Sequence, residues 1–512
     1  MTSVRVFPDR RAVVLPARMD VLRLVPQAKA FVAQGQNFMA LPHAPETTRL
    51  LRNLGVRIPE PIRYYYDWVG TTPFATQIDT AALLTTYRRA FVLNEMGTGK
   101  TRASLFAFDF LMKLGKAKRL LVVAPLSTLG SVWEDEVFRN FHHLTTAVLH
   151  GSKAKRRQLL AGGADVLIIN HDGVETIRDE LTAAKIDCVI IDELAMYRNS
   201  QTDRWKTLKP LVRQATHAWG LTGAPTPNSP TDAYGQVKLL IPENVGFSFK
   251  SFKDATMLQV SQFTWIERED ANDHVFKAMQ PSIRVTRDQA FDLPPVTYSN
   301  RNVAMDPRSA KAYKDMHAEM AALIRSKEIT AANEGVKLSK LLQISAGFAY
   351  DGDREGNYIG AKDRIKEVFD IIEESSRKVI VFAPFRYLTE VLAEALGKRW
   401  PVAMVHGGVT KGVRDKIFAD FQHSASPRVI VAHPGTMAHG LNLTRADTIV
   451  WAAPTLSLET YEQANARITR PGQSTHAHII HIMSTKAEAK VYSRLRNRAK
   501  MQGALLEMFN ET

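Results

Sequence analysis

Eight consecutive residues carry chemistry of their own: Asn94-Glu95-Met96-Gly97-Thr98-Gly99-Lys100-Thr101, placed directly after the apolar run Ala90-Phe91-Val92-Leu93. Glycines at this spacing let backbone amides wrap phosphate oxygens, and a helix beginning at Lys100 adds the positive end of its dipole. Lys100 would neutralise the β- and γ-phosphates of a nucleotide, and the Thr101 hydroxyl would ligate Mg2+. A phosphate loop of this kind needs an acid to hold the metal and orient water. Asp192-Glu193-Leu194-Ala195 supplies a pair of carboxylates at the end of the apolar run Val189-Ile190-Ile191. Asp192 would hold Mg2+ through its water shell, and Glu193 would act as general base. Together the two motifs point to hydrolysis of a nucleotide.

Such groups need rigid elements to position them. From Thr76 onward, short apolar runs rich in β-branched residues alternate with loops and helical patterns. They include residues 90–93, 120–124, 166–169, 189–191, 379–382, 429–432 and 448–451. They do not alternate in polarity, as parallel strands buried on both faces do not. Two clusters of them, over roughly 76–240 and 360–485, predict an α/β fold with two lobes. The chain divides into an α+β unit at 1–70, a first lobe at 71–243, a helical inter-lobe region at 244–360 and a second lobe with a terminal helix at 361–512. In the first unit, strands are expected at 4–7 and 12–15 and helices near 19–34 and 44–54. A long amphipathic helix is expected over 306–327.

Composition narrows the partner. Lys and Arg number 67 against 52 acids, a formal net charge of +15 over 512 residues, which either favours polyanions such as DNA or RNA or serves as a solubilising surface charge. A single cysteine, Cys188, excludes an intramolecular disulfide and a thiolate zinc site. No apolar stretch is long enough to span a bilayer, and the first residues, with Arg5, Arg10 and Arg11, contain no signal-peptide core. The expected setting is the cytoplasm, with no membrane partner.

With these residues in place, the chain resembles superfamily-two helicases, and more narrowly Swi/Snf-type DNA-dependent ATPases, over about 74–485. Its phosphate loop NEMGTGKT is similar to the family's DEMGLGKT, with Asn94 in place of an acid. The resemblance implies two RecA-like lobes. It places Phe74 and Gln77 in the adenine-contacting glutamine motif, and it makes Pro125, Ser127 and Thr128 (motif Ia) and Asn170 and His171 contacts to nucleic acid. Leu221 to Asn228 resembles LTGTPLQN, in which Thr222 and Gly223 relay nucleotide state to the DNA face. Asp192 to Ala195 stands where the family has DEAH or DEAD, without the last polar residue. In the second lobe His406 and Asn442 are implied DNA contacts, and Gly440 in the GLNL string is an implied nucleotide contact. Gln463, Arg467 and Arg470, followed by Pro471-Gly472-Gln473, resemble motif VI. The two arginines are expected on one face of a helix, as arginine fingers for the transferring phosphoryl group. Arg284, the block Leu293-Pro294-Pro295 and the helices near 306–345 resemble the inter-lobe region.

The N-terminal unit resembles the HARP-type domains of annealing helicases in arrangement, and the overall layout is similar to small Swi/Snf-type ATPases of bacteriophages, which act in the host cytoplasm. Tyr64-Tyr65-Tyr66-Asp67-Trp68 is open to two readings, stacking on bases or packing on the first lobe. The resemblance implies ATP and Mg2+, a monomeric motor, and duplex or forked DNA in preference to RNA, with replication and repair as settings. It leaves three outputs open: translocation on duplex DNA, strand separation, and an ATP-switched displacement of proteins such as a polymerase, with a replication or transcription factor as partner.

Overall fold

The computed structural model describes residues 4–33, 35–246, 248–261, 265–290, 294–325, 331–350, 356–437, 442–470 and 473–507. It divides into two compact units, 1–290 and 291–503.

The first unit opens with a four-stranded antiparallel sheet, β1 (Arg5–Phe7), β2 (Ala12–Pro16), β3 (Lys29–Ala33) and β4 (Gln36–Pro42), in the order β1-β2-β4-β3. The helix expected near 19–34 is only Met19–Leu24, and the rest of that stretch is the β3–β4 hairpin. Pro26 cannot carry a helix ladder forward, and Gly35, at φ 73°, takes the left-handed conformation that a tight hairpin turn requires. One face of the sheet buries Val13, Leu15, Met39 and Leu41 against Val21 and Leu51 of the helices Met19–Leu24 and Pro45–Asn53. The aromatic run then docks on the following lobe. The Tyr66 hydroxyl donates to buried Asp109 at 2.6 Å, and Trp68 meets Phe106 edge to face. Of the two readings for that run, packing is what Tyr66 and Trp68 do, while Tyr64 stays exposed.

That lobe is a seven-stranded sheet containing β5 (Arg89–Val92), β6 (Leu120–Ala124), β7 (Thr146–Val148), β8 (Val166–Asn170), β9 (Cys188–Asp192) and β10 (His217–Leu221). A short hairpin follows, β11 (Met257–Gln259) with β12 (Trp265–Glu267), and then β13 (Ser282–Ile283) returns to the sheet as its edge. The order is β13-β5-β10-β9-β6-β8-β7, with every pairing parallel. Both faces are apolar: Val123, Ile169 and Ile191 fill one core, and Val122, Ile168 and Ile190 fill the other. Fully burying each such side chain contributes about 1.5–3 kcal/mol. Cys188 is buried among them.

The second unit carries β14 (Val296–Asn302), a small hairpin β15 (Phe348–Tyr350) with β16 (Gly356–Tyr358), and then β17 (Lys378–Phe382), β18 (Val402–Val405), β19 (Val429–Ala432), β20 (Ala446–Trp451) and β21 (Ala477–Met483). Its six-stranded sheet, β14-β21-β20-β17-β19-β18, is also wholly parallel. Its two cores centre on Ile380, Ile430 and Ile449 and on Val381, Val431 and Val450. The architecture is therefore the expected pair of parallel α/β lobes. The region 244–360 is not a separate body, however. Its first part packs Phe252, Val275 and Met279 into the first lobe and adds β13 there, while β14 joins the second sheet. The amphipathic pattern over 306–327 forms the helix Pro307–Arg325. Among the described residues, no helix is long and apolar enough to cross a membrane.

Candidate active site

Chemistry in parallel α/β sheets gathers at the carboxyl ends of the strands, and here three adjacent strands converge. β5 runs into the phosphate loop, its neighbour β10 ends at Thr222-Gly223, and β9, next again, ends at Asp192. Gly97 and Gly99 have φ of 86° and 80°, values that L side chains resist. A Cβ on Gly99 would also collide with the Gln77 amide. That amide ties the loop down: its oxygen accepts from Phe74 N–H at 3.0 Å, and its Nε2 donates to the Gly99 carbonyl at 3.4 Å. Gln77, which the resemblance makes an adenine contact, is buried and bonded to the phosphate loop, while Phe74 is exposed.

The helix Lys100–Lys113 starts directly after Gly99. The Lys100 ammonium donates to the carbonyls of Asn94 at 2.7 Å and Glu95 at 3.1 Å, and the Thr98 hydroxyl donates to the same Glu95 carbonyl at 2.8 Å. Charged phosphate oxygens accept more strongly than carbonyls, so a triphosphate can draw the ammonium from this resting place. Asn94, standing where the family has an acid, is buried and donates to the Thr80 hydroxyl at 2.9 Å. The Met96 backbone and side chain line the approach to Gly223.

Asp192 accepts from the Trp133 indole N–H at 3.0 Å and from the Glu193 amide at 3.1 Å. Burial pushes its carboxyl above the ordinary range; the indole, the Lys100 charge and the Glu193 amide pull it back. Trp133 reaches Asp192 from a π-helical turn, Leu129–Glu134, a local widening that is common at functional sites. Glu193 sits at φ 52°, ψ 54°, a left-handed conformation costly for a glutamate and typical of residues held for function. A buried carboxylate and a helix-start hydroxyl are both hard-oxygen donors, and a divalent cation would offset the desolvation that raises Asp192. Thr101 and Asp192 thus fit Mg2+.

Two arginines that motif spacing does not single out as site residues complete the loop. Arg284, 4 % exposed at its side chain, donates to the Leu93 carbonyl and pairs with Glu95 at 2.8 Å, and Arg287 pairs with the other Glu95 oxygen at 3.2 Å. Burial alone would raise the Glu95 carboxyl, but the two guanidiniums outweigh it and hold it below the usual range. The backbone adds its own clamp: the N–H groups of Phe91, Leu93 and Glu95 donate to the carbonyls of Pro281, Ile283 and Val285 at 2.8–3.0 Å. The sequence signal was Arg284 itself, noted only as part of an inter-lobe resemblance.

The expected nucleic-acid contacts divide. Pro125 and Asn170 lie at the carboxyl ends of β6 and β8, Ser127 is partly exposed, and Gly223 reaches the loop beside Met96. Pro125 is buried, and so is Thr128, whose hydroxyl donates to the Pro125 carbonyl. Thr222 is buried too, its hydroxyl accepting from the Ala224 amide. His171 is buried against the Tyr197 hydroxyl at 3.1 Å, and Asn170 accepts from Arg156 at 3.3 Å. The side chains of Thr128, His171 and Thr222 are thus buried at the strand ends.

In the second unit, His406 follows β18 with its Nδ1 accepting from the Gly408 amide at 3.1 Å, and Asn442 is exposed. Gln463 is buried and donates to Glu459 at 3.1 Å. The helix Leu458–Asn465 ends before the arginines, so Arg467 and Arg470 sit in the turns beyond it rather than on a helical face. Arg467 is 1 % exposed, and its carbonyl accepts from Leu443 N–H at 3.1 Å, joining this turn to the Asn442 loop. Gln473 secures the far side, donating to the carbonyls of Ala446 and Ile468. Gly440, Leu441, Pro471, Gly472 and Leu293 lie outside the described residues.

Comparison with known families bears on this arrangement directly. The model of the SNF2-related domain matches residues 82–347, just over half of the chain, and that of the helicase conserved C-terminal domain matches 363–472. The chain belongs to the SNF2-related family. As a member it is a nucleic-acid-dependent ATPase of helicase superfamily two. Among its relatives, protein p41 of Acyrthosiphon pisum secondary endosymbiont phage 1 is 27 % identical over 448 residues, covering 82 % of this chain and 95 % of p41. The DNA annealing helicase and endonuclease ZRANB3 of Mus musculus is 24 % identical over 82 % of this chain. The match spans only 39 % of that longer protein. The Sulfolobus solfataricus SWI2/SNF2 ATPase core in complex with dsDNA is 22 % identical, with a TM-score of 0.43, over 87 % of this chain and 96 % of that one.

Proposed function

We propose that this SNF2-family ATPase hydrolyses ATP to move along, or remodel, duplex or forked DNA. The observation that carries the reading is the convergence of the phosphate loop, Asp192 and Thr222-Gly223 on three neighbouring strand ends of one parallel sheet. The family's pairing of that lobe with a second supports it, as does the chain's excess of basic residues.

In this reading Lys100 leaves the Asn94 and Glu95 carbonyls for the β- and γ-phosphates, and Gln77 holds the loop that cradles them. Mg2+, held by the Thr101 hydroxyl and through its water shell by Asp192, would add positive charge beside those phosphates. Glu193 orients the attacking water and takes its proton. Arg467 and Arg470 are proposed to stabilise charge on the transferring phosphoryl group in the catalytic state. Gly223, beside Met96 and the Asn94 carbonyl, senses whether the loop is occupied and passes that state along β10. DNA contacts are mostly to phosphates, so binding weakens as salt rises and depends little on sequence.

The test is steady-state ATP hydrolysis with no nucleic acid, single-stranded DNA, duplex DNA, forked DNA and RNA. Duplex or forked DNA should stimulate hydrolysis strongly, and Lys100→Ala should abolish it. Stimulation by single strands or RNA alone would replace this reading with that of a strand-separating helicase. Hydrolysis indifferent to every nucleic acid would sink the motor.

A further inference from the structure

The amino-terminal sheet buries one face and leaves the other open. Side chains alternate along a strand, so with Val13, Leu15, Met39 and Leu41 inside, the outer face is set by the register. One row across all four strands reads Arg5, Val14, Ala40, Lys29. The row on one side reads Pro16, Phe38, Phe31, and the row on the other reads Phe7, Ala12, Pro42. Phe7 and Phe31 are each 40 % exposed, and the Phe31 and Phe38 rings lie 6.0 Å apart at 27°. The face is thus a trough floored by Val14 and Ala40, with aromatic rings on both sides and a cation at either end. At about 4.8 Å per strand the two cations are roughly 14 Å apart. No carboxylate stands in any of the three rows.

We propose that this open face is a stacking platform for single-stranded nucleic acid, with unpaired bases on Phe31, Phe38 and Phe7 and backbone phosphates at Arg5 and Lys29. Charge selects the class of occupant: a row ended by two cations, among rows without an acid, fits a polyanion. The rings select its form. Bases stack on aromatic side chains whatever their identity, but only unpaired bases offer a free face, and those of a duplex are covered by their neighbours. The inference rests on the proposed motor only in supplying it with the unpaired strand of a fork.

The test uses the full chain without nucleotide and follows the fluorescence anisotropy of labelled oligo(dT), oligo(rU) and blunt duplex. Each stacked base contributes about 1–3 kcal/mol, and tenfold corresponds to about 1.4 kcal/mol. Phe31→Ala with Phe38→Ala should therefore weaken single-strand binding about tenfold or more, while Phe31→Trp should bind at least as tightly as wild type with its indole emission quenched. Retention of wild-type affinity by the double variant would overturn the proposal. So would an equal loss on blunt duplex, or a wild-type dimer that the double variant dissolves with oligonucleotide affinity unchanged. ATP hydrolysis by the wild type on duplex DNA, measured alongside, separates failure of the motor reading from failure of the platform.

Discussion

The Glu95–Arg284 pair can be broken one side at a time, and its position makes the outcome informative. Arg284 is nearly inaccessible, it also donates to the Leu93 carbonyl, and its charge is met by a Glu95 carboxylate that is 30 % exposed. Removing one partner of a fully buried pair costs about 3–5 kcal/mol. The part-exposed carboxylate lowers the expected cost of Glu95→Ala to about 2–3 kcal/mol. In a domain of this size that is about 2–4 °C of Tm per kcal/mol. Arg284→Met removes the charge and leaves Glu95 with Arg287, so it should cost less than Glu95→Ala. The double variant should recover part of the sum, a coupling of about 1–3 kcal/mol. Because Lys100 rests on the Glu95 carbonyl, Glu95→Ala should also raise KM for ATP more than it lowers kcat. Urea unfolding of the four proteins and ATP titrations under DNA stimulation give both numbers. A coupling below about 0.5 kcal/mol, or an unchanged KM, would refute the view that this pair holds the phosphate loop.

Further outcomes follow from the same geometry. Trp133→Phe removes an N–H that favours ionised Asp192. The carboxyl should rise further, and the acid limb of the ATPase pH profile should move to higher pH. Burial, aided by Arg88 and Arg89, lowers His217 to about 4, and burial, aided by Arg496, lowers His481 to about 3. Below about pH 6.5 the unfolded chain takes up protons that these buried rings refuse, so stability should fall as pH drops from there toward 4. At pH 5 the loss is about 2 kcal/mol for each ring, to be read from urea midpoints of wild type, His217→Gln and His481→Gln. Arg364, buried with Glu488 at 2.9 Å and donating to the Ser345 and Ala452 carbonyls, anchors the second unit. Arg364→Met should cost that unit about 3–5 kcal/mol, seen as an earlier thermal transition.

What was legible in the sequence was local. The phosphate loop, the Asp192-Glu193 pair and the runs that became β5, β6, β8, β9, β17, β19 and β20 each declare themselves within a few residues, because a strand buried on both faces must be apolar throughout. What was not legible depends on the partner segment. Lys29–Ala33 is a strand only because the alternating β4 beside it needs a neighbour, and Gly35 makes the turn. Arg284 reaches the loop because β13, two residues long, pairs with β5 from far downstream. His171 and Thr222, expected as nucleic-acid contacts, are buried, with His171 Nδ1 against the Tyr197 hydroxyl and the Thr222 hydroxyl accepting from the Ala224 amide. The helix that was to carry Arg467 and Arg470 stops at Asn465, and nothing in the spacing of two arginines marks that end.

The clamp on the phosphate loop also sets an order of events during synthesis. The amides of Leu93 and Glu95 find their acceptors on residues 283 and 285, which leave the ribosome long after the loop itself. At about 5–20 residues per second, the nascent loop waits roughly 10–40 s for its edge strand. In the meantime Glu95 has no guanidinium partner from that segment and the edge of β5 is bare. A chain stalled or cut before Ser282 would hold the complete phosphate-binding sequence without a properly braced phosphate-binding site. Nucleotide affinity should therefore arrive in a step as translation passes that strand, once nearly the whole first lobe exists.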